Sequence, residues 1–327
     1  MMNKTLRWGV MAALLFGFVG TAFAQKEEVV ASLDRLDGRV QVVQAESGKT
    51  IQGRNGLLLK AGDTVVTRAK TRVTIKFRDG SEVRMFPDSQ FVIQNIKESQ
   101  TKTRSFSYKL FLKVGSIWGK FTPQRNLAEI KVPTATIGIK GTALRATHRN
   151  DKSRVALTEG LVEVSNNRGA VNLTPGKRLD NFTRTDDLRK KVQDIPYKID
   201  IKSDKQNLKF SRDKAEEVFV TLQMVDIKKG SEVRRAGKVY FRSNYDRIVY
   251  PPEANLNQRG FARVPLKILP PETTDDKLDG NIYVWALIDE ETADDTAEGR
   301  ILFTFPVKTG KEKIQVEADS GEGRKVK

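Results

Sequence analysis

Two short runs in this chain interleave cations with aromatic rings: Lys109-Leu-Phe111-Leu-Lys113 and Trp118-Gly-Lys120. On a strand, Lys109, Phe111 and Lys113 project from one face, and Trp118 with Lys120 joins them if both runs lie in one sheet. Rings flanked by ammonium groups suit acidic ligands such as an acidic glycan, lipopolysaccharide head groups or an acidic protein surface. The competing expectation is that Phe111 and Trp118 are core residues of a two-sided strand.

Other chemistry is sparse. With His148 the only histidine and no cysteine in the sequence, a catalytic triad, a multi-histidine metal site and thiol chemistry are all excluded. His148 is expected in an exposed turn. No G-x-S-x-G elbow, phosphate loop or dinucleotide fingerprint occurs, and no carboxylate pair stands out for glycoside hydrolysis. The acidic stretch from Asp289 to Glu298 lacks the spacing of a calcium loop and reads as a solvated hairpin loop, with a weak calcium site as the alternative. A binding protein is expected, not an enzyme, and no cofactor is implied.

The elements that would hold the basic face follow an N-terminal leader. Lys4 and Arg7 precede an apolar stretch from Trp8 to Val19, and Ala22-Phe23-Ala24 has the form of a cleavage site, so residues 1–24 read as a signal peptide with cleavage before Gln25. The stretch is too short to span a bilayer, and no later segment is long and apolar enough to do so. The expected location is periplasmic or secreted. A mature chain of this size can bury a sufficient core without disulfides.

Charge divides the chain. The formal net charge is +17. Residues 26–180 hold 28 Lys+Arg against 15 Asp+Glu, whereas residues 181–327 hold 28 against 26. Residues 181–213 read as a polar linker with one short strand near Tyr197–Ile201 and a polar helical turn near Ser211–Glu217. The tail 311–327 reads as disordered.

Residues 26–180 alternate with period two, as in Val73, Ile75 and Phe77 against Arg72, Thr74, Lys76 and Arg78. Short strands are expected at 39–43, 64–67, 82–86, 91–96, 105–112, 116–121, 129–132, 143–148, 154–158, 161–165 and 171–173. Gly62-Asp63 and Asp79-Gly80 supply tight turns. Gly38-Arg-Val40, Gly115-Ser-Ile117 and Gly160-Leu-Val162 repeat one device, in which glycine makes a turn and a branched residue opens the next strand. A rolled or solenoid-like stack is expected first and a double sheet second.

The ordered series of motifs resembles the FecR domain. It comprises Gly62-Asp63-x-Val65-x-Thr67, Val73-x-Ile75-x-Phe77-x-Asp79-Gly80-Ser81, Pro87-x-Ser89, Leu110-x-Leu112-x-x-Gly115, Thr134-Ala-Thr-Ile-Gly138-Ile-Lys-Gly141-Thr142, Val155-x-Leu157-x-x-Gly160 and Leu173-x-x-Gly176. It covers about residues 38–178. The resemblance implies an extracytoplasmic β-module used in binding. Familiar members add a cytoplasmic anti-sigma segment and a membrane helix, in whose place this sequence has a leader. Gly138, Gly141 and Thr142 are expected in a close backbone passage between strands.

Residues 214–310 read as an Ig-like β-sandwich with strands near 218–225, 238–243, 247–250, 260–269, 281–288 and 300–307. The strand 281–288 is apolar on both faces. The combined expectation is a non-enzymatic exported envelope protein, binding or scaffolding through its first domain, with an envelope protein or an acidic cell-wall or surface polymer as partner and no nucleic acid. The alternatives are a sensor acting through a separate membrane regulator, or a carbohydrate-active enzyme without a recognisable motif.

Overall fold

Alternation governs nearly every element of the computed structural model, which describes residues 29–99, 105–122, 127–210, 214–245, 247–251, 254–271, 280–288 and 297–305. The expected leader 1–24, most of the acidic stretch 289–298 and the tail 311–327 lie outside the described residues.

The first domain is a 15-stranded sheet. Its strands are β1 (Val29–Asp37), β2 (Val40–Val43), β3 (Thr50–Gln52), β4 (Leu58–Lys60), β5 (Thr64–Thr67), β6 (Arg72–Phe77), β7 (Glu82–Met85), β8 (Gln90–Ser99), β9 (Ser105–Lys120), β10 (Leu127–Val132), β11 (Ala135–Arg149), β12 (Lys152–Asn166), β13 (Gly169–Leu173), β14 (Lys177–Phe182) and β15 (Val192–Asp194). The main path runs β15-β14-β12-β11-β10-β9-β7-β6-β1-β4. β9 is its spine. Residues 107–111 pair with the parallel β10 and with β8, residues 117–120 pair with β7, and residues 115–120 pair with β11. The sheet rolls over one continuous core that includes Leu33, Val65, Ile75, Phe91, Leu110, Ile130, Leu157 and Phe182.

The second domain is a sandwich of two four-stranded sheets. Its strands are β16 (Tyr197–Ser203), β17 (Glu216–Asp226), β18 (Gly237–Ser243), β19 (Ile248–Val249), β20 (Ala254–Leu256), β21 (Phe261–Ile268), β22 (Asn281–Ile288) and β23 (Glu298–Thr304). One sheet has the order β16-β17-β21-β19 and the other β20-β18-β22-β23. Their inner faces meet in a second core around Val220, Leu266, Val284 and Phe303.

Two expectations are corrected. Residues 181–213 are not a free connector. Phe182 and Leu188 enter the first core, β15 pairs with β14, and β16 already belongs to the sandwich. Residues 211–213 of the expected helical turn lie outside the described residues, and Glu216 begins a strand. The expected breaks at Gly115 and Gly160 are also absent, because both glycines lie inside continuous strands. Their φ angles of +104° and +86° make bulges, which shift the alternation without ending the strand.

Candidate functional site

The bulge at Gly115 organises the outer face of β9. Before it, Tyr108, Leu110 and Leu112 point into the core; after it, Ile117 and Phe121 do. The parity of the buried residues therefore changes from even to odd. Lys109, Phe111 and Lys113 thus share the outer face with Trp118 and Lys120, although simple alternation across 105–120 would separate them. Ser89 stitches the bulge: its Oγ accepts from Ser116 N at 2.9 Å and donates to Ser116 O at 3.2 Å.

The two halves of this face have different neighbours. Lys109 and Lys113 are exposed and Phe111 is half-buried. Asn95 and Glu129 flank Lys109, while Val92 and Lys131 flank Phe111. Trp118 is only 3% exposed. It belongs to a cross-strand row, Thr74–Arg84–Trp118–Arg145, on β6, β7, β9 and β11. Against this row lies the outer face of the β18–β22–β23 sheet, carrying Tyr240, Arg242, Trp285, Leu287 and Glu298. Phe86, Trp118, Ala143, Tyr240 and Leu287 form a third apolar cluster at this seam.

Cations on aromatic faces hold the seam together. The Arg84 guanidinium lies 3.9 Å from the Tyr240 ring centroid, and Arg145 lies 3.8 Å from Phe86 while donating to Ile288 O at 3.2 Å. Arg242 lies 5.2 Å from Trp118 and 4.2 Å from Trp285. Trp118 Nε1 donates to Glu298 Oε2 at 3.4 Å, and Lys120 pairs with Glu159. Desolvation pushes the Glu298 carboxyl above its ordinary range, with Thr158, Trp118, Arg242 and Lys120 opposing it. Desolvation also lowers the Lys120 ammonium, against the pull of Glu159. Glu159 and Glu298 line a cleft of about 350 Å³ beside Trp285, but both are engaged in holding the seam.

The five-residue face is therefore divided. Lys109, Phe111 and Lys113 remain open to a ligand. Trp118 is buried, as the core expectation had it, but between domains and not inside one, and Lys120 is half-buried beside it. The cations of β7, β11 and β18 that complete the seam escaped sequence reasoning, because nothing local distinguishes an arginine facing solvent from one facing a tryptophan.

Gly62 has φ +91°, and the buried Asp63 accepts from Ala45 N at 3.0 Å and Lys60 N at 2.9 Å. Gly80 has φ +83°, and Asp79 accepts from Ser81 N at 2.9 Å. Gly138 has ordinary room, with Glu163 O at 3.8 Å from a Cβ placed there. Gly141, φ +60°, lies within β11 and not between strands. A side chain at Gly160 would strike Gly141 O and Thr142, so the two bulges face each other across β11 and β12. His148 is not in an exposed turn. It is 6% exposed, with Nδ1 at 2.9 Å from Ser153 Oγ, and desolvation lowers its pKa. Among the described residues no group of three or more His, Cys, Asp or Glu could hold a metal ion, and no helix is long and apolar enough to cross a membrane.

These features define an all-β protein in which a rolled sheet is docked on a sandwich. Residues 63–163 match the family model described as FecR protein, so the chain carries a FecR domain there. Among solved structures, the chain is similar to two crystal structures, at 1.65 and 2.50 Å, of a protein from Parabacteroides distasonis ATCC 8503 provisionally described as an anti-sigma factor. Each is 11% identical and covers 35% of this chain, with TM-scores of 0.29 and 0.30. The chain spans 52% of those relatives' length. No curated protein matches.

Proposed function

We propose that this is a non-enzymatic, extracytoplasmic binding protein whose FecR domain engages acidic envelope polymers through Lys109, Phe111 and Lys113. The observation that carries the reading is the placement of these residues: two exposed lysines flank a half-buried ring on the outer face of a 16-residue strand paired on both sides. Such a strip needs no ordering on binding, and its attraction for polyanions is screened over a Debye length of roughly 10 Å at 0.1 M salt. The leader and the FecR match support an extracytoplasmic location, and the sandwich offers a second interaction surface.

The test is retention of the full chain on lipopolysaccharide-coated beads across a salt gradient. Lys109→Gln with Lys113→Gln should elute at clearly lower salt with unchanged melting, whereas Lys120→Gln should chiefly loosen the seam. Retention indifferent to salt and to the double change would sink the reading. The FecR match also favours a second reading, a sensor component signalling through a separate membrane regulator. Co-purification of such a regulator with cross-linked protein would support it.

A further inference from the structure

The sandwich has two outer faces, and the first domain covers one of them, that of the β18–β22–β23 sheet at the seam. The other belongs to the sheet β16-β17-β21-β19. Its strands alternate strictly, with Val218, Val220, Leu222, Val264 and Leu266 turned into the core and the residues between them turned outward. In register, the outward rows are Glu217–Lys267–Val249, Phe219–Pro265, Lys202–Thr221–Arg263 and Asp200–Gln223–Phe261.

An outer sheet face that meets only water is polar along its strands. This one is not. Of the six large hydrophobic side chains exposed among the described residues, Phe219, Val249 and Phe261 stand on it, at 42%, 52% and 38% exposure. Pro265 lies beside Phe219. Arg263, between Pro265 and Phe261 on β21, holds its guanidinium 4.5 Å from the Phe219 ring centroid, and its aliphatic stem continues the apolar surface. An apolar plane with a polar rim marks an interaction site.

Charge selects the occupant. The chain as a whole carries +17, so copies of it repel one another over most of their surface. In these rows the signs balance: Lys202, Arg263 and Lys267 stand with Asp200, Asp204 and Glu217, Asp204 being held in the Phe219 row by accepting from Phe219 N at 3.0 Å. They are also segregated, since the acids lie on the β16 side and β17 while β21 carries cations alone. Two copies related by an axis along β17 set the acids of one over Arg263 and Lys267 of the other, and Phe219 over Phe219, in the aligned packing of two sheets. The rows span about 20 by 25 Å, below the roughly 800 Å² per partner of a standard interface, so the pairing is weak and depends on concentration.

We propose that this face joins two copies of the chain, sheet on sheet. The first domains then lie at the two ends of the dimer, each on the far side of its own sandwich. The pairing does not depend on what the strip on β9 binds.

The experiment is sedimentation velocity of the full chain from low micromolar to near-millimolar concentration, at low and at high salt. A monomer–dimer equilibrium is expected. Because salt screens the repulsion between two cationic chains and leaves apolar contact in place, the dimer should tighten several-fold as salt rises. Phe219→Ser with Phe261→Ser should weaken it at least tenfold with unchanged melting, whereas Leu161→Ser, at an exposed leucine of the first domain, should leave it as it is. Should the double change lower the melting temperature, Val249→Lys decides: it puts a second cation beside Lys267 and should also weaken the dimer at least tenfold. A monomer at every concentration and salt, a dimer that loosens as salt rises, or one indifferent to these variants overturns the proposal.

Discussion

Gly115 shows how much can depend on one absent side chain. At φ +104°, a Cβ there would run into the backbone and side chain of Ser89, so both the conformation and the space exclude a larger residue. Gly115→Val is expected to cost about 3 kcal/mol, and Gly141→Val, at φ +60°, about 1–3 kcal/mol; urea denaturation of the full chain checks both. Glu298 gives a pH signature. Desolvation raises its pKa above the ordinary 4.5, so above that value the folded state holds a proton that the unfolded state has released. Stability then falls as pH rises from the ordinary value through the raised one. Lys120 and Arg242 bear charge beside it, so the slope attributable to Glu298 is the part that Glu298→Gln removes. A pH–melting profile unchanged by that substitution would show that the carboxyl is well solvated.

At the scale of elements, the readable strands are those whose alternation is unbroken. β5 and β22 have the expected bounds, and β22 is buried on both faces because Val284 and Ala286 enter the sandwich core while Leu287 meets the other domain. Leu287→Ala should therefore cost about 2–4 kcal/mol in the full chain, as a fully enclosed leucine does. A loss below about 1 kcal/mol would mean that the outer face of β22 is wet. Among the strands that escaped, two carry a break in phase, and others, such as β3, β4, β15 and β20, are only three residues long. In β1 the bulge at Arg35 separates Ala31 and Leu33 from Leu36. In β14, Leu179 and Phe182 are both buried at a spacing of three because Asn181 has φ +46°. The candidate site was legible for the same reason in reverse: its lysines and rings are consecutive in sequence, whereas the contact of Arg35 with Tyr240 between the domains joins residues some 200 positions apart.

For the whole molecule, the seam makes the two domains partners in stability. A fragment of residues 26–195 is expected to fold but to melt below the transition it shows in the full chain, since Phe86, Trp118 and Ala143 lose their cover. Trp118→Ala separates the possibilities: it should lower the melting temperature of the full chain while leaving the fragment nearly unaffected. An equal loss in both would place Trp118 in the core of the first domain alone.

The same seam imposes an order in time. The rolled sheet has all its strands once Asp194 is made, but the face that covers Trp118 is completed only by β23, ending at Thr304. In a chain that emerges N-terminus first, a patch bearing tryptophan and phenylalanine therefore stands without its cover until β23 follows. Through that interval the row of arginines beside the patch keeps it hydrated and mutually repelling, so nascent chains are discouraged from joining one another before their own second half arrives.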